Sequence, residues 1–310
     1  MSVEILRTGV LTTLQDRGRP GSAMLGVGTA GAMDDVALRL ANALVGNASG
    51  AAALEITLIG PRLRFDAAAT IALTGAEHPG VPMWRAVRID AGSVLDLGHA
   101  RHGARAYLAI AGGFAVEHVL GSASTDVNAQ LGGRPLREGD RLAVGDAHPR
   151  ESDASWSLDP RPWFDADPAT PIRLIRGAHF MALDAASRTA LFGREFRIAS
   201  DSNRVGFRLD GPRLTLSAPL ELISEPLAAG TLQLPPGGQP IALMAEHPTV
   251  GGYPRIGHVA AVDLALLAQR RPGDTVRFAE IDLDDAQTRY LEREHALAGL
   301  IEAIHERLTR

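Results

Sequence analysis

The chain has 310 residues, 45% of them hydrophobic and only 5% aromatic, with a net charge of −5. That length admits two domains with cores of their own, while the scarce aromatics and negative charge argue against a base-stacking or polyanion-binding protein. Cysteine is absent and all 31 basic residues are arginine, which excludes disulfides, thiolate metal sites, a cysteine nucleophile, a Schiff-base lysine and a Walker-type lysine. Any anion would have to be held by arginine forks and backbone amides.

The start, Met1-Ser2-Val3-Glu4-Ile5-Leu6-Arg7, lacks a basic flank before an apolar core, and no run of about 18 apolar residues follows, so a cytoplasmic protein is expected. Val3 to Leu6 and Val10 to Leu14 read as short strands leading into a loop, Gln15-Asp16-Arg17-Gly18-Arg19-Pro20-Gly21. Asp34-Asp35 opens a helix at its positive end, with Val36, Leu40 and Leu44 on one face and Gly46-Asn47 closing it. Short β runs follow at Leu54–Ile59, Leu63–Phe65, Thr70–Leu73, Ala86–Ile89, Val94–Leu97, Ala106–Ile110 and Arg141–Val144, at the close spacing of a barrel or sandwich.

From His148 to Pro171 the composition changes, with Pro149, Pro160, Pro162, Pro168 and Pro171 set among Asp and Ser. This stretch predicts a domain boundary, and Trp156 and Trp163 predict that it packs on a surface. The second half echoes the first faintly. Glu4 to Gly9 resembles Arg173 to Gly177, and Gln15-Asp16-Arg17-Gly18 resembles Ser202 to Gly206. Gly60-Pro61-Arg62-Leu63 returns as Gly211-Pro212-Arg213-Leu214, and Glu138-Gly139-Asp140 as Pro272-Gly273-Asp274. The order predicts a tandem duplication of one β-rich domain, with a helix over Val262 to Arg271. The expected division is 1–150, a linker over 151–171, 172–281, and a terminal helix over 282–310 carrying Leu297, Ile301, Ile304 and Leu308 on one stripe.

The densest chemistry lies in Met244 to His258, M-A-E-H-P-T-V-G-G-Y-P-R-I-G-H. Gly251-Gly252 permits close backbone approach, and Pro248 and Pro254 stiffen its flanks, so this stretch is either a rigid site loop or a decorated turn. Arg17 and Arg204, the latter after Asn203, stand in glycine-bearing loops at equivalent places of the halves and suit bidentate grip of a carboxylate or phosphate, or surface ion pairing. Gln233 precedes Leu234-Pro235 in a short strand and faces a ligand or solvent. Gly26-Val27-Gly28-Thr29-Ala30-Gly31 matches G-x-G-x-x-G but does not leave a strand directly, which leaves an amide-lined anion site at the next helix as the stronger reading. Gly121 to Asp126 offers hydroxyls and amides for an anion or a capped turn, and His99 and His102 lack a third ligand, so no metal site is expected.

Together these residues resemble the KipA/PxpC family, whose members are also described as 5-oxoprolinase subunits, as allophanate hydrolase subunit 2, or as the biotin-dependent carboxyltransferase-like domain of urea amidolyase. The resemblance rests on Thr13 to Gly21, Gly31-Ala32-Met33-Asp34, Ala41 to Asn47, Ala53-Leu54-Glu55-Ile56 and Arg105-Ala106-Tyr107-Leu108. Further matches are Ala111-Gly112-Gly113, Leu120-Gly121-Ser122, Gly230 to Pro235 and Gly251-Gly252-Tyr253, covering about residues 1 to 280.

It implies a mainly β protein with some α, built as two tandem cyclophilin-like barrels plus a C-terminal helix. It also implies a KipI/PxpB-like partner and a LamB/YcsF-like subunit, with which the chain opens 5-oxoproline to glutamate using ATP with Mg held by the complex. Alternatives implied are carboxyl transfer from biotin in a urea amidolyase-type enzyme, and a non-catalytic KipA-like regulator that binds a KipI-like kinase inhibitor. On the implied chemistry Glu246 and His247 are acid–base candidates and Tyr253 a positioning donor. Gln15, Arg17, Asn203, Arg204, Gln233, Thr249, Gly251 and Gly252 would hold substrate or anion. Members read close to D-x-Q-T-T-G-G-Y where this chain has Glu246-His247-Pro248-Thr249-Val250 before Gly251-Gly252-Tyr253, so its polar groups differ there.

Overall fold

The computed structural model describes residues 1–147 and 154–309, and the first part of the Pro-rich stretch, with Pro149, lies outside the described residues. The chain divides into two compact units: residues 1–19, 30–166 and 296–310, and residues 20–29 and 167–295.

In the first unit β1 (Ser2–Arg7), β4 (Arg62–Phe65), β7 (Val94–Asp96) and β9 (Arg141–Ala143) form one sheet in the order β7-β4-β1-β9. A second sheet runs β2-β3-β8-β5-β6, from β2 (Leu11–Gln15), β3 (Ala53–Thr57), β5 (Ala69–Gly75), β6 (Ala86–Ile89) and β8 (Arg105–Ile110). The inward rows of both sheets, Val3, Ile5, Leu63 and Phe65 against Leu54, Ile56, Ile71 and Leu108, share one core. Helix α1 (Asp35–Leu44) covers the other face of the second sheet, packing Ala37, Leu38 and Ala41 on Tyr107 and Ala109. β8 is therefore buried on both faces, which is why its sequence reads as a continuous run rather than an alternation.

The described part of the Pro-rich stretch, up to residue 166, belongs to this unit. Ala154 N–H donates to the Ala86 carbonyl at 3.1 Å and Leu158 N–H to the Trp84 carbonyl at 2.8 Å, while Arg307 lies 5.0 Å over the Trp156 ring.

The second unit closes into a barrel in the order β10-β17-β14-β15-β12-β11-β18. The strands are β10 (Ile172–Arg176), β11 (Glu195–Ile198), β12 (Gly206–Asp210), β14 (Thr231–Gln233), β15 (Ile241–Leu243), β17 (Arg255–Val259) and β18 (Thr275–Glu280). A separate ribbon pairs β13 (Glu225–Pro226) with β16 (Val250–Gly251). The two units echo one another imperfectly: β1 and β9 pair antiparallel, whereas β10 and β18 pair parallel, and Gly60-Pro61 leads into β4 whereas Gly211-Pro212 leads into a loop.

Helix α2 (Ala185–Gly193) starts at Asp184, whose carboxylate accepts from Ser187 N–H at 2.6 Å. The helix expected over Val262 to Arg271 shortens to α3 (Leu264–Ala268) after a 3₁₀ turn, Ala261–Asp263. Asp263 does not cap it, because its carboxylate accepts from the backbone N–H and Nε of Arg173, at 2.7 and 2.9 Å, and so ties β10 to this turn. Helix α4 (Leu283–Thr309) buries Leu297, Ile301 and Ile304; its residues from 296 on belong to the first unit.

Candidate functional site

Gln15 and Arg17 belong to the first unit. Gln15 is fully buried; its Nε2 donates to Thr13 Oγ1 at 3.0 Å and to the Thr125 carbonyl at 2.8 Å. Arg17 is half exposed and pairs with Asp35, Nε to Oδ1 at 3.2 Å, an ion pair of the kind worth about 0–1 kcal/mol. The loop from Gly121 to Asp126 does hold an anion, and that anion is the carboxylate of Asp16. Ser122 and Ser124 hydroxyls each donate to its Oδ1 at 2.6 Å, Gly18 N–H donates at 2.7 Å, and Ala123 N–H donates to Oδ2 at 2.7 Å. Burial works to raise the Asp16 pKa, but the Ser122 and Ser124 hydrogen bonds, then those of the two amides, outweigh it and hold it below the ordinary 3.8.

Asp16→Asn is therefore expected to cost about 3 kcal/mol near neutral pH. Because the native pKa is depressed, this increment is present above about pH 4 and is lost as pH falls through the lower native value. Urea unfolding at pH 7 and at successive acidic pH values checks it: wild type and variant should converge at the acid end.

The start of α1 is also met by the protein's own carboxylates, which weighs against a further anion at that helix start. Glu55 accepts from Met33 N–H at 2.9 Å and from the Tyr107 hydroxyl at 2.7 Å. Asp34 caps the helix by accepting from Ala37 N–H at 2.9 Å. Burial, reinforced by Glu55, pushes the Tyr107 phenol well above 10 and keeps it a donor. A nucleotide phosphate does not fit there, since it would face two carboxylates. Among the described residues no group of three or more His, Asp or Glu side chains is placed to hold a metal ion.

The other predicted residues all lie in the second unit. Arg204 and Glu246 form a buried ion pair, Nε to Oε1 at 2.6 Å, with side chains 4% and 2% exposed. Glu246 N–H donates to the Arg204 carbonyl at 2.8 Å and Met244 N–H to that of Val205 at 3.0 Å, so side chains and backbone clamp the same two loops. Asn203 turns its own loop, its Oδ1 accepting from Val205 N–H at 2.8 Å. His247 is buried, with Nδ1 2.8 Å from the Pro248 carbonyl. Glu246 is thus engaged with an internal arginine, and His247 with its neighbouring backbone, rather than presented to solvent.

Gln233, Thr249, Gly251, Gly252 and Tyr253 converge on the ribbon. A bulge in the β14–β17 pairing sets Thr231 against His258 and Leu232 against Gly257, then Gln233 against Arg255, skipping Ile256. Gln233 is 5% exposed, and its Nε2 is a buried donor with no hydrogen-bond partner among the described residues. A Cβ on Gly251 would lie 3.0 Å from that nitrogen and 2.8 Å from Leu227 Cδ1, so the missing side chain keeps space beside the amide. The Thr249 carbonyl accepts from Leu227 N–H at 3.0 Å, holding the ribbon closed. Gly252 lies near Leu222 and Ser224, and Tyr253 is 47% exposed, its hydroxyl without a partner among the described residues.

An unpaired buried amide N–H costs stability, so an acceptor brought to Gln233 Nε2 would be favoured. Leu227 and Glu225 stand beside Gly251 across the ribbon, and the sequence offers only Ser224-Glu225-Pro226 as a sign of that segment.

A two-sheet unit and a closed barrel in one chain, the barrel bearing an unpartnered buried amide donor beside Gly251, define a β-rich protein. The family model described as "Carboxyltransferase domain, subdomain A and B" matches residues 25–280, and the chain belongs to that family. It is 39% identical over 307 residues to a protein of Escherichia coli K12 named as a 5-oxoprolinase subunit, with 94% of this chain and 97% of that one covered. Against the protein of the same name from Haemophilus influenzae it is 37% identical over 294 residues, covering 92% and 93%. The crystal structure of the K. lactis urea amidolyase superposes on 98% of the chain with a TM-score of 0.86 at 27% identity; the match spans 20% of that longer protein.

Proposed function

We propose that this chain is one subunit of a 5-oxoprolinase-type hydrolase, which opens the cyclic amide of 5-oxoproline to glutamate in an ATP-dependent complex with KipI/PxpB-like and LamB/YcsF-like partners. Near full-length similarity to two proteins named as 5-oxoprolinase subunits supports the reading. The observation that carries it is the buried, unpartnered Nε2 of Gln233 beside Gly251. Opening a lactam gathers negative charge on the carbonyl oxygen, and a preset donor in a dry setting stabilises that oxygen without reorganisation. ATP and Mg would act at the level of the complex; at the start of α1 in this chain, the Met33 and Ala37 amides are already met by Glu55 and Asp34.

A second reading has its own support in the urea amidolyase and urea carboxylase relatives. There the oxygen meeting Gln233 would belong to urea or to the ureido group of biotin carried on another chain, and both are acceptors this donor fits. The discriminating experiment purifies the chain with its partner subunits and assays glutamate from 5-oxoproline with ATP, beside carboxylation of urea with bicarbonate, ATP and a biotin carrier. ATP-dependent glutamate release is the expected result. Urea carboxylation alone would replace this reading with the second, and no turnover with every subunit present would leave a regulator that only binds its partner.

A further inference from the structure

Leu227, which faces Gly251, also lines a cavity of about 320 Å³ in the second unit with Gly177, Thr231, Arg255 and His258. That volume lies near the lower end of the roughly 300–1,000 Å³ usual for small-molecule sites, a size for a ligand of amino-acid dimensions rather than a nucleotide.

Two of the lining side chains keep unspent polar atoms. Arg255 gives Nη2 to the Glu225 carboxylate and its backbone N–H to His179 Nδ1 at 3.1 Å. Its Nε and Nη1 have no partner among the described residues, and the side chain is 29% exposed, so the rest of the fork remains available. His258 has Nδ1 3.5 Å from Thr231 Oγ1, a hydroxyl that also accepts from Ala228 N–H at 3.4 Å. Its Nε2 has no hydrogen-bond partner among the described residues, and burial holds the imidazole below the ordinary 6.5, hence neutral near pH 7. Gly230, at φ +92°, backs the ring: a Cβ there would stand 3.2 Å from Nε2. The remaining wall is Ala178, Pro226, Ala228 and glycine backbone.

A fixed guanidinium beside a neutral imidazole, with an otherwise apolar and backbone lining, matches a small molecule that carries one carboxylate and one amide. The guanidinium grips a carboxylate through a charge-assisted pair, and the imidazole exchanges a hydrogen bond with an amide N–H or carbonyl in either tautomer. Arg255 is set opposite Gln233 by the β14–β17 bulge, so the carboxylate anchor and the orphan donor stand on paired positions of adjacent strands.

We propose that this cavity is the carboxylate-recognition pocket for the substrate, with Arg255 binding the carboxylate of a small cyclic amide acid and His258 facing its amide through Nε2. The inference rests on the proposed cyclic-amide chemistry and adds the residues that would select an acid over a neutral lactam. Glu225 pre-aims the guanidinium and competes with the ligand for it.

The test titrates the full chain with 5-oxoproline, and with 2-pyrrolidinone, which lacks the carboxylate, following the His258 ring by NMR and affinity by calorimetry. 5-Oxoproline should shift the His258 resonances, assigned by His258→Asn, and 2-pyrrolidinone should bind at least about tenfold more weakly. Arg255→Gln should weaken 5-oxoproline binding about tenfold or more, while Glu225→Gln should leave it equal or tighter, with thermal unfolding recorded for each variant.

A static His258 spectrum overturns the proposal, as does equal weakening by Arg255→Gln and Glu225→Gln, which is what a purely structural ion pair gives. In the assembled complex, glutamate release whose KM is unmoved by Arg255→Gln overturns this pocket and leaves the 5-oxoprolinase reading standing. Absence of turnover with 5-oxoproline binding intact does the reverse.

Discussion

Glu246→Ala is expected to lower stability by about 3–5 kcal/mol, the largest effect of any single substitution considered for this chain. The carboxylate sits 2.6 Å from Arg204 Nε with both side chains at least 96% buried, so truncation removes the counter-charge of a buried guanidinium. Two charges buried together largely offset their own desolvation, whereas one left alone does not. The double variant Arg204→Met, Glu246→Leu should recover most of the loss, and urea unfolding of the four members of the cycle measures the coupling. A Glu246→Ala protein as stable as wild type but devoid of turnover in the complex would instead return Glu246 to an acid–base role.

The largest effect on activity is expected at Gln233. Replacing it by leucine keeps the size and removes the unpaired donor, so kcat of the complex should fall about 10²–10³-fold, the usual loss on removing one donor to a developing oxyanion. Stability should hold or rise, because a buried N–H without a partner is a cost the leucine does not carry. This opposite movement of rate and stability separates a ligand-facing amide from a structural one. Gly251→Ala should act through the same atoms, since its methyl would displace Leu227 Cδ1 and crowd Gln233 Nε2.

Much of the architecture was legible because local patterns matched tertiary burial. Helix α1 showed its stripe and its Asp34 cap, and Ala86–Ile89 and the doubly buried Arg105–Ile110 declared themselves as strands. Helix α2 did not, because only Ser187 and Leu191 are buried and no stripe emerges. Closure of the barrel was illegible strand by strand, since it depends on pairings such as β10 with β18, more than 100 residues apart.

In the candidate site, the close backbone approach at Gly251 could be read from composition. The partners of its neighbours could not. Arg204 meets Glu246 from 42 residues away, Asp16 meets Ser122 from 106 residues away, and the bulge that brings Gln233 opposite Arg255 has no local signature. Arg17, Arg204 and the Gly121 to Asp126 loop all carry the chemistry of anion binding, and in each case the structure supplies an internal carboxylate: Asp35, Glu246 and Asp16. Sequence shows which groups can hold an anion, but only the fold shows which are already holding one.

The most direct measurement is ATP-dependent glutamate release from 5-oxoproline by the assembled complex, comparing wild-type chain with Gln233→Leu, with thermal unfolding of both chains recorded in parallel. A fall of about 100-fold in kcat at an unchanged or higher Tm is the predicted result. Equal rates, or a loss of rate that tracks a loss of stability, would contradict a role for the Gln233 amide at the reacting oxygen.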